Sequence, residues 1–279
     1  LTPIGVFDSG VGGLSVLREL RRAMPAENFI YLGDTARLPY GTKSSATVER
    51  YSLQCAALLV RRGIRALVVA CNTASAFSID ALRAQYPQMP VIGVIEPGAA
   101  AAVAASSSQH IAVIATEATI AGGAYQRAIH RLNPDARLTA QACSLFVAMA
   151  EEGWTHGAIA EAVARRYLDP LFAVPDAPDT LVLGCTHFPV LEAAIRAVLP
   201  APIRIVDSAA TTAAAVRRSL HPGESVPAGD APVGASVRAP RGGGAVRWLA
   251  TDGALRFARV GSTFLGAALT ADEVEIVDL

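Results

Sequence analysis

The chain has 279 residues, 52% hydrophobic and 17% charged, which suits one large or two medium buried cores and excludes broad disorder. Its formal net charge of zero excludes a basic field that would draw it to nucleic acid or acidic lipid. No apolar run reaches the ~18 residues of a membrane span, and the first residues lack a secretory signal pattern, so neither a membrane nor an exported protein is expected.

The chain begins at Leu1 rather than Met, so a few natural residues are expected to precede it. Residues 4–8 read as a short buried strand, ending in Asp8. The glycine turn Ser9-Gly10-Val11-Gly12-Gly13 follows, then helical spacing over 14–24. A strand, a glycine turn and a helix present backbone N–H groups suited to an anion, although the glycines do not match the dinucleotide fingerprint. Residues 29–33 read as the next strand, and a polar, proline-punctuated loop over 34–44 carries Tyr40 and Gly41. Val48, Tyr51, Cys55, Leu58 and Leu59 recur at helical spacing.

Residues 66–71 form an apolar strand ending in Cys71-Asn72-Thr73, with a helix expected from about 75 to 86. A strand over 91–95 leads to an alanine-rich helix opened by Glu96-Pro97-Gly98. Residues 111–115 then resemble residues 4–8, 107 positions earlier (4 to 111), with Thr116-Glu117-Ala118-Thr119 in place of the glycine turn. A strand over 137–142 precedes Cys143, and Glu151-Glu152-Gly153-Trp154 lies beyond it. A helix over 159–167, a proline-rich turn and a strand over 180–185 end in Cys185-Thr186-His187, with Pro189 in the first turn of the next helix. A strand over 203–206 and a helix over 211–220 follow. Residues 221–244, rich in glycine and proline, read as a surface excursion or mobile loop. Residues 246–251 and 255–259 read as a strand pair turning at Asp252-Gly253, with a last apolar segment over 264–269.

Strands alternating with helices in two similar halves imply an α/β fold of two similar domains, with mainly parallel sheets related by a pseudo-two-fold. The expected division is residues 1–97 plus 208–279 for the first domain and 98–207 for the second. The ends of the strands carrying Asp8, Cys71 and Cys185 converge, on this reading, in the cleft between them.

Cys71 and Cys185 end matched strands and stand 114 positions apart (71 to 185). The four cysteines, at 55, 71, 143 and 185, include no C-x-x-C pair, and together with the lack of a signal they point to free thiols in a reducing cytoplasm. Cys55 and Cys143 read as packed core thiols. The five histidines show no metal-ligand spacing, so no metal is expected. Three chemistries suit the matched pair. One is a disulfide, which is unusual in the cytoplasm. Another is a lone nucleophile helped by His187, which leaves the second cysteine unexplained. The third is two-base proton transfer, in which one thiolate removes a proton from carbon and the opposite thiol delivers one to the other face. Both cysteines precede expected helices, whose dipoles favour thiolate, and Asp8 and His187 are placed to exchange or orient protons.

The segments 7–14 (FDSGVGGL), 31–41 (YLGDTARLPYG), 70–74 (ACNTA) and 184–189 (GCTHFP) together resemble glutamate racemase. The similarity runs from residue 4 to about 207 and resumes at Phe264-Leu265-Gly266. In the wider aspartate/glutamate racemase superfamily the second cysteine motif usually has Glu where this chain has His187, which favours glutamate over aspartate. The resemblance implies interconversion of L- and D-glutamate without a cofactor, supplying D-glutamate for peptidoglycan and so for cell-wall biogenesis and cell shape. It implies Cys71 and Cys185 as the acid/base pair, with Cys185 serving the L enantiomer. It implies substrate contacts at Asp8, Ser9, Tyr40, Gly41, Asn72, Thr73, Thr186 and His187, and Glu151 as a further candidate near His187. The expected partners are this small substrate and a second copy of the chain in a homodimer, with no nucleic acid and no membrane. The chain departs from the family around residues 144–150, which are poorer in proline and bulky side chains, and over 221–244, which is longer than usual. The rival readings are an aspartate racemase or maleate isomerase of the same superfamily, and a binding protein that keeps the fold without turnover.

Overall fold

The computed structural model describes residues 1–223 and 243–279. Most of the segment 221–244 that the sequence marks as a loop therefore lies outside the described residues.

The first unit opens with β1 (Ile4–Asp8), α1 (Leu14–Ala23), β2 (Phe29–Gly33), α2 (Ser45–Arg61), β3 (Ala66–Val69), α3 (Asn72–Gln85), β4 (Val91–Gly93) and α4 (Ile95–Ala105). The second runs through β5 (His110–Ala115), α5 (Glu117–Gly122), α6 (Ala124–Leu132), β6 (Arg137–Ala142), α7 (Leu145–Glu151), α8 (Ala158–Phe172), β7 (Thr180–Gly184), α9 (Glu192–Val198) and β8 (Arg204–Asp207), and α10 (Ser208–Leu220) crosses back. The chain then returns to the first sheet with β9 (Val246–Ala250), α11 (Ala254–Leu265) and β10 (Val274–Ile276).

One sheet has the order β10-β9-β2-β1-β3-β4 and the other β6-β5-β7-β8, all strands parallel. The run β2-β1-β3-β4 and the run β6-β5-β7-β8 follow one plan, so the repeat in the sequence is a repeat of topology. β1, β2, β3 and β7 are buried along their whole length, as parallel strands covered by helices on both faces must be. In both units the strand bearing a cysteine at its end neighbours the first strand of that unit, beside the point where the strand order reverses and ligands bind.

The crossover helices α4 and α10 pack on each other and belong, through Ala99, Ala102, Ala209, Ala213 and Val216, to one apolar cluster that also holds β1 and β7 residues. Their alanines let the helices approach closely, so the two units share a core.

The expected hairpin at Asp252-Gly253 is not formed. β9 pairs parallel with β2, and a parallel neighbour can be reached only by a crossover. Gly253, at φ +65°, caps α11, which buries Phe257, Ala258, Val260, Gly261, Phe264 and Leu265 at helical spacing. That pattern runs through residues the sequence reading divides between a strand and a separate segment. β10, which then pairs with β9, is not anticipated at all. α8 extends to Phe172, past Pro170, because Leu168, Leu171 and Phe172 are buried on it. α3 starts at Asn72, three residues earlier than expected, which makes Cys71 its N-cap.

Candidate active site

At the end of β3, Cys71 turns the chain into α3. Its sulfur accepts the N–H of Ala74 at 3.4 Å, as an N-cap side chain does, and stands 3.6 Å from the Ser9 hydroxyl. A helix N-terminus alone favours thiolate, yet burial and the neighbouring Asp8 carboxylate push the Cys71 thiol up to about 12. Cys71 therefore rests as a thiol, contrary to the expectation from its helix.

Asp8 explains what the glycine turn binds. Its Oδ2 accepts the N–H of Gly10 at 2.9 Å, and Gly13 donates to the same carboxylate. The anion at the start of α1 is thus a side chain of the protein itself. Burial raises the Asp8 carboxyl despite these bonds and despite the nearby His187.

Across the cleft, Cys185 ends β7 but no α-helix follows it directly. Phe188–Leu191 forms a single 3₁₀ turn, and α9 begins only at Glu192. The expected helix dipole is replaced by a side chain: His187 Nδ1 stands 3.9 Å from the Cys185 sulfur. His187 Nε2 meets Glu151 Oε1 at 3.0 Å, and Glu151 Oε2 accepts Arg256 Nη2 at 2.8 Å. The Phe264 ring meets the imidazole edge to face, with centroids 5.0 Å apart. Burial opposes charge on His187, but its bonds to Cys185 and Glu151 and the nearby negative groups outweigh burial and raise it to about 10. Burial works against the Glu151 carboxylate, and His187 and Arg256 together hold it below its ordinary range.

Cys71 and Cys185 line one cavity. Ser9, Tyr40, Gly41, Asn72, Thr73, Glu151, Thr186 and His187 line it too. Asp8, fully buried, lies behind this wall rather than on it, linked to it by the Thr186 hydroxyl at 3.5 Å. The Tyr40 hydroxyl is committed to the buried Asp34 carboxylate, which Arg37 and Thr251 also hold. Asn72 accepts the Tyr125 hydroxyl at 2.8 Å, and its buried amide nitrogen has no partner among the described residues, which leaves a donor for a ligand. Cys55 and Cys143 are buried away from the cavity lining. All four cysteines are free.

Two close approaches join the units here. A Cβ at Gly12 would collide with the Thr186 hydroxyl and the His187 ring, and one at Gly41 would lie 2.7 Å from Thr116 Cβ. The sequence reading did not select Thr116, which lines the cavity and closes a triangle of hydroxyls with Thr73 and Thr119 at 2.9–3.0 Å. The repeat held the signal, since Thr116 stands where the glycine turn stands in the first half. Arg256 carried no such signal, because it lies on the helix misread as a strand.

The cavity thus offers two thiols, and hydrogen-bond donors from Asn72 and the threonine hydroxyls. Residues 4–216 match the family model described as Asp/Glu/Hydantoin racemase. A glutamate racemase from Geobacter metallireducens is 48% identical over 266 residues, covering 95% of this chain and 93% of that protein. Among solved structures, a glutamate racemase from Francisella tularensis in complex with D-glutamate superposes with a TM-score of 0.85 at 34% identity, covering 99% of this chain and 97% of that one. A glutamate racemase isoform from Bacillus anthracis gives 0.87 at 34% identity, covering 100% and 98%.

Proposed function

Because the chain belongs to the Asp/Glu/hydantoin racemase family, and within it to the glutamate racemases, we propose that it interconverts L- and D-glutamate by proton transfer between Cys71, Cys185 and the α-carbon. The observation that carries this reading is that two free thiols, from matched strand ends of two units, line one cavity.

The reaction balances without a cofactor. One thiolate breaks the Cα–H bond and becomes a thiol, leaving a carbanion whose charge the adjacent carboxylate shares. The opposite thiol protonates the other face and becomes the thiolate. Cys71, held as a thiol, is the proton donor when L-glutamate is the substrate. His187, bridging Cys185 and Glu151, can donate its Nδ1–H to the Cys185 thiolate that attacks from that side. The substrate contacts in this reading are Ser9, Tyr40, Gly41, Asn72, Thr73, Thr186 and His187, with Asp8 acting from behind the wall. Carboxylates of the substrate meet amide, hydroxyl and backbone donors rather than arginine.

The product would serve peptidoglycan synthesis, in the cytoplasm, with the chain as a homodimer divided into residues 1–97 plus 208–279 and residues 98–207. The two sheets support that division. Among the described residues no helix is long and apolar enough to cross a membrane. Light scattering of the purified protein tests the dimer.

Racemisation in heavy water tests the mechanism. Starting from pure L-glutamate, early D-glutamate should be almost fully deuterated at the α-carbon while the remaining L-glutamate is still largely protiated. Early product that keeps its original proton would mean that one group carries the same proton across, and would refute the two-base reading.

A further inference from the structure

Helix α11 belongs to the six-stranded unit, yet it reaches the Cys185 side of the cavity at two points. Phe264 packs against the His187 ring, and two turns earlier Arg256 pairs with Glu151. Glu151 lies at the end of α7, in the other unit. Its two oxygens are divided between its partners, Oε1 on His187 and Oε2 on Arg256. The Arg256 side chain is 52% exposed and that of Glu151 13%, so the ion pair itself adds little to stability. Its geometric effect is larger. A carboxylate held on one oxygen cannot turn the other away, so Arg256 fixes the oxygen that faces His187. That orientation in turn leaves Nδ1 facing the Cys185 sulfur at 3.9 Å and the Thr186 hydroxyl at 3.5 Å.

We propose that Arg256 is a positioning residue for proton transfer on the Cys185 side, acting across the cleft through Glu151 and His187. In the reacting form the His187 Nδ1–H donates to the Cys185 thiolate, and the Glu151 carboxylate balances the imidazolium. That thiolate takes the α-proton and becomes the thiol. Among the described residues no such relay through an imidazole reaches Cys71, whose sulfur meets Ser9 and the Ala74 N–H, so the effect is confined to one side. This inference rests on the two-cysteine reading above.

The test compares the parent protein with Arg256→Met and Arg256→Lys, using glutamate of each hand deuterated at the α-carbon. Enantiomers have equal free energies in water, so kcat/KM must fall by the same factor in both directions, here by about tenfold in Arg256→Met. The isotope effects need not move together. If the Cys185 step alone is slowed, the effect measured with L-glutamate rises, because abstraction by Cys185 becomes more limiting. The effect measured with D-glutamate falls, because abstraction by Cys71 becomes less so. Arg256→Lys, which keeps the charge but loses the planar fork, should recover part of both changes. An Arg256→Met protein with parental kinetics overturns the inference, as does one in which both isotope effects stay put or shift in the same direction. If the parent does not racemise glutamate, the underlying reading fails as well. A parent that racemises while the variants behave alike removes only the role of Arg256.

Discussion

Cys71 and Cys185 stand at equivalent positions of two sheets built on one strand plan, but their surroundings differ in kind. Cys71 caps a 14-residue helix, touches Ser9 and a backbone N–H, and is held as a thiol by burial and Asp8. Cys185 opens a four-residue 3₁₀ turn and meets the imidazole of His187, itself backed by Glu151 and Arg256. A duplicated scaffold supplies two matched sulfurs. It does not supply two matched proton environments, because the side chains beyond the strand ends are not part of the repeat. The outcome is one sulfur set against burial and Asp8 and another set against an imidazole.

The largest test of this comparison removes the sulfurs in turn. Cys71→Ala and Cys185→Ala should each lower racemisation by about 1,000-fold or more, measured by optical rotation, with circular dichroism of the fold unchanged. Substantial activity in either variant would break the pairing of the two sides.

Gly12→Ala comes next. Its methyl group would meet Thr186 and His187, so it should disturb the Cys185 side from the opposite unit. A loss of activity of about 100-fold is expected, with a stability cost of about 1–3 kcal/mol read from denaturant titration. A variant with parental activity would show that the units do not meet as tightly as the geometry states.

The His187 environment predicts a pH dependence of stability that Cys71 does not share in the same range. His187 is raised from 6.5 to about 10 in the folded protein, so its charge stabilises the fold fully below pH 6.5. That contribution falls as the pH rises through this window, because the unfolded chain releases the proton first. The stability gap between the parent and His187→Gln should therefore narrow from pH 6.5 to about 10, followed by urea unfolding. A constant gap would mean that the histidine is not held as a cation. The Cys71 contribution, with its thiol raised from 9.0 to about 12, declines only at higher pH.

The smallest effects belong to the other two thiols. Cys55→Ala and Cys143→Ala should each leave kcat/KM within about twofold and cost roughly 1 kcal/mol of stability, since neither sulfur lines the cavity. A large loss of activity would extend the comparison beyond Cys71 and Cys185.

The α/β class, the repeat and the paired cysteines were legible in the sequence because they depend on local pattern. Apolar runs ending in Cys71 and Cys185, and the matched runs at 4–8 and 111–115, carry buried parallel strands wherever they occur. The set Ser9, Tyr40, Gly41, Asn72, Thr73, Thr186 and His187 came instead from the resemblance of four segments to glutamate racemase, and all seven line one cavity. Other features needed the folded chain. Only the parallel pairing of β9 with β2 turned residues 254–265 into a crossover helix, and so brought Arg256 and Phe264 to His187 and Glu151. Which atom occupies the start of α1 was likewise undecided until Asp8 was seen to fill it. At Cys71 burial and Asp8 oppose the helix dipole that the sequence suggests, because a helix dipole is a local property. Burial and neighbouring charge are sums over everything that packs around a sulfur. The sequence by itself determined where two thiols end two strands, since strand periodicity is written in consecutive residues. Only the tertiary structure decided what surrounds each of them, burial and Asp8 at Cys71 and His187 at Cys185, because that depends on groups from distant parts of the chain held within a few ångströms in a medium where charge is costly.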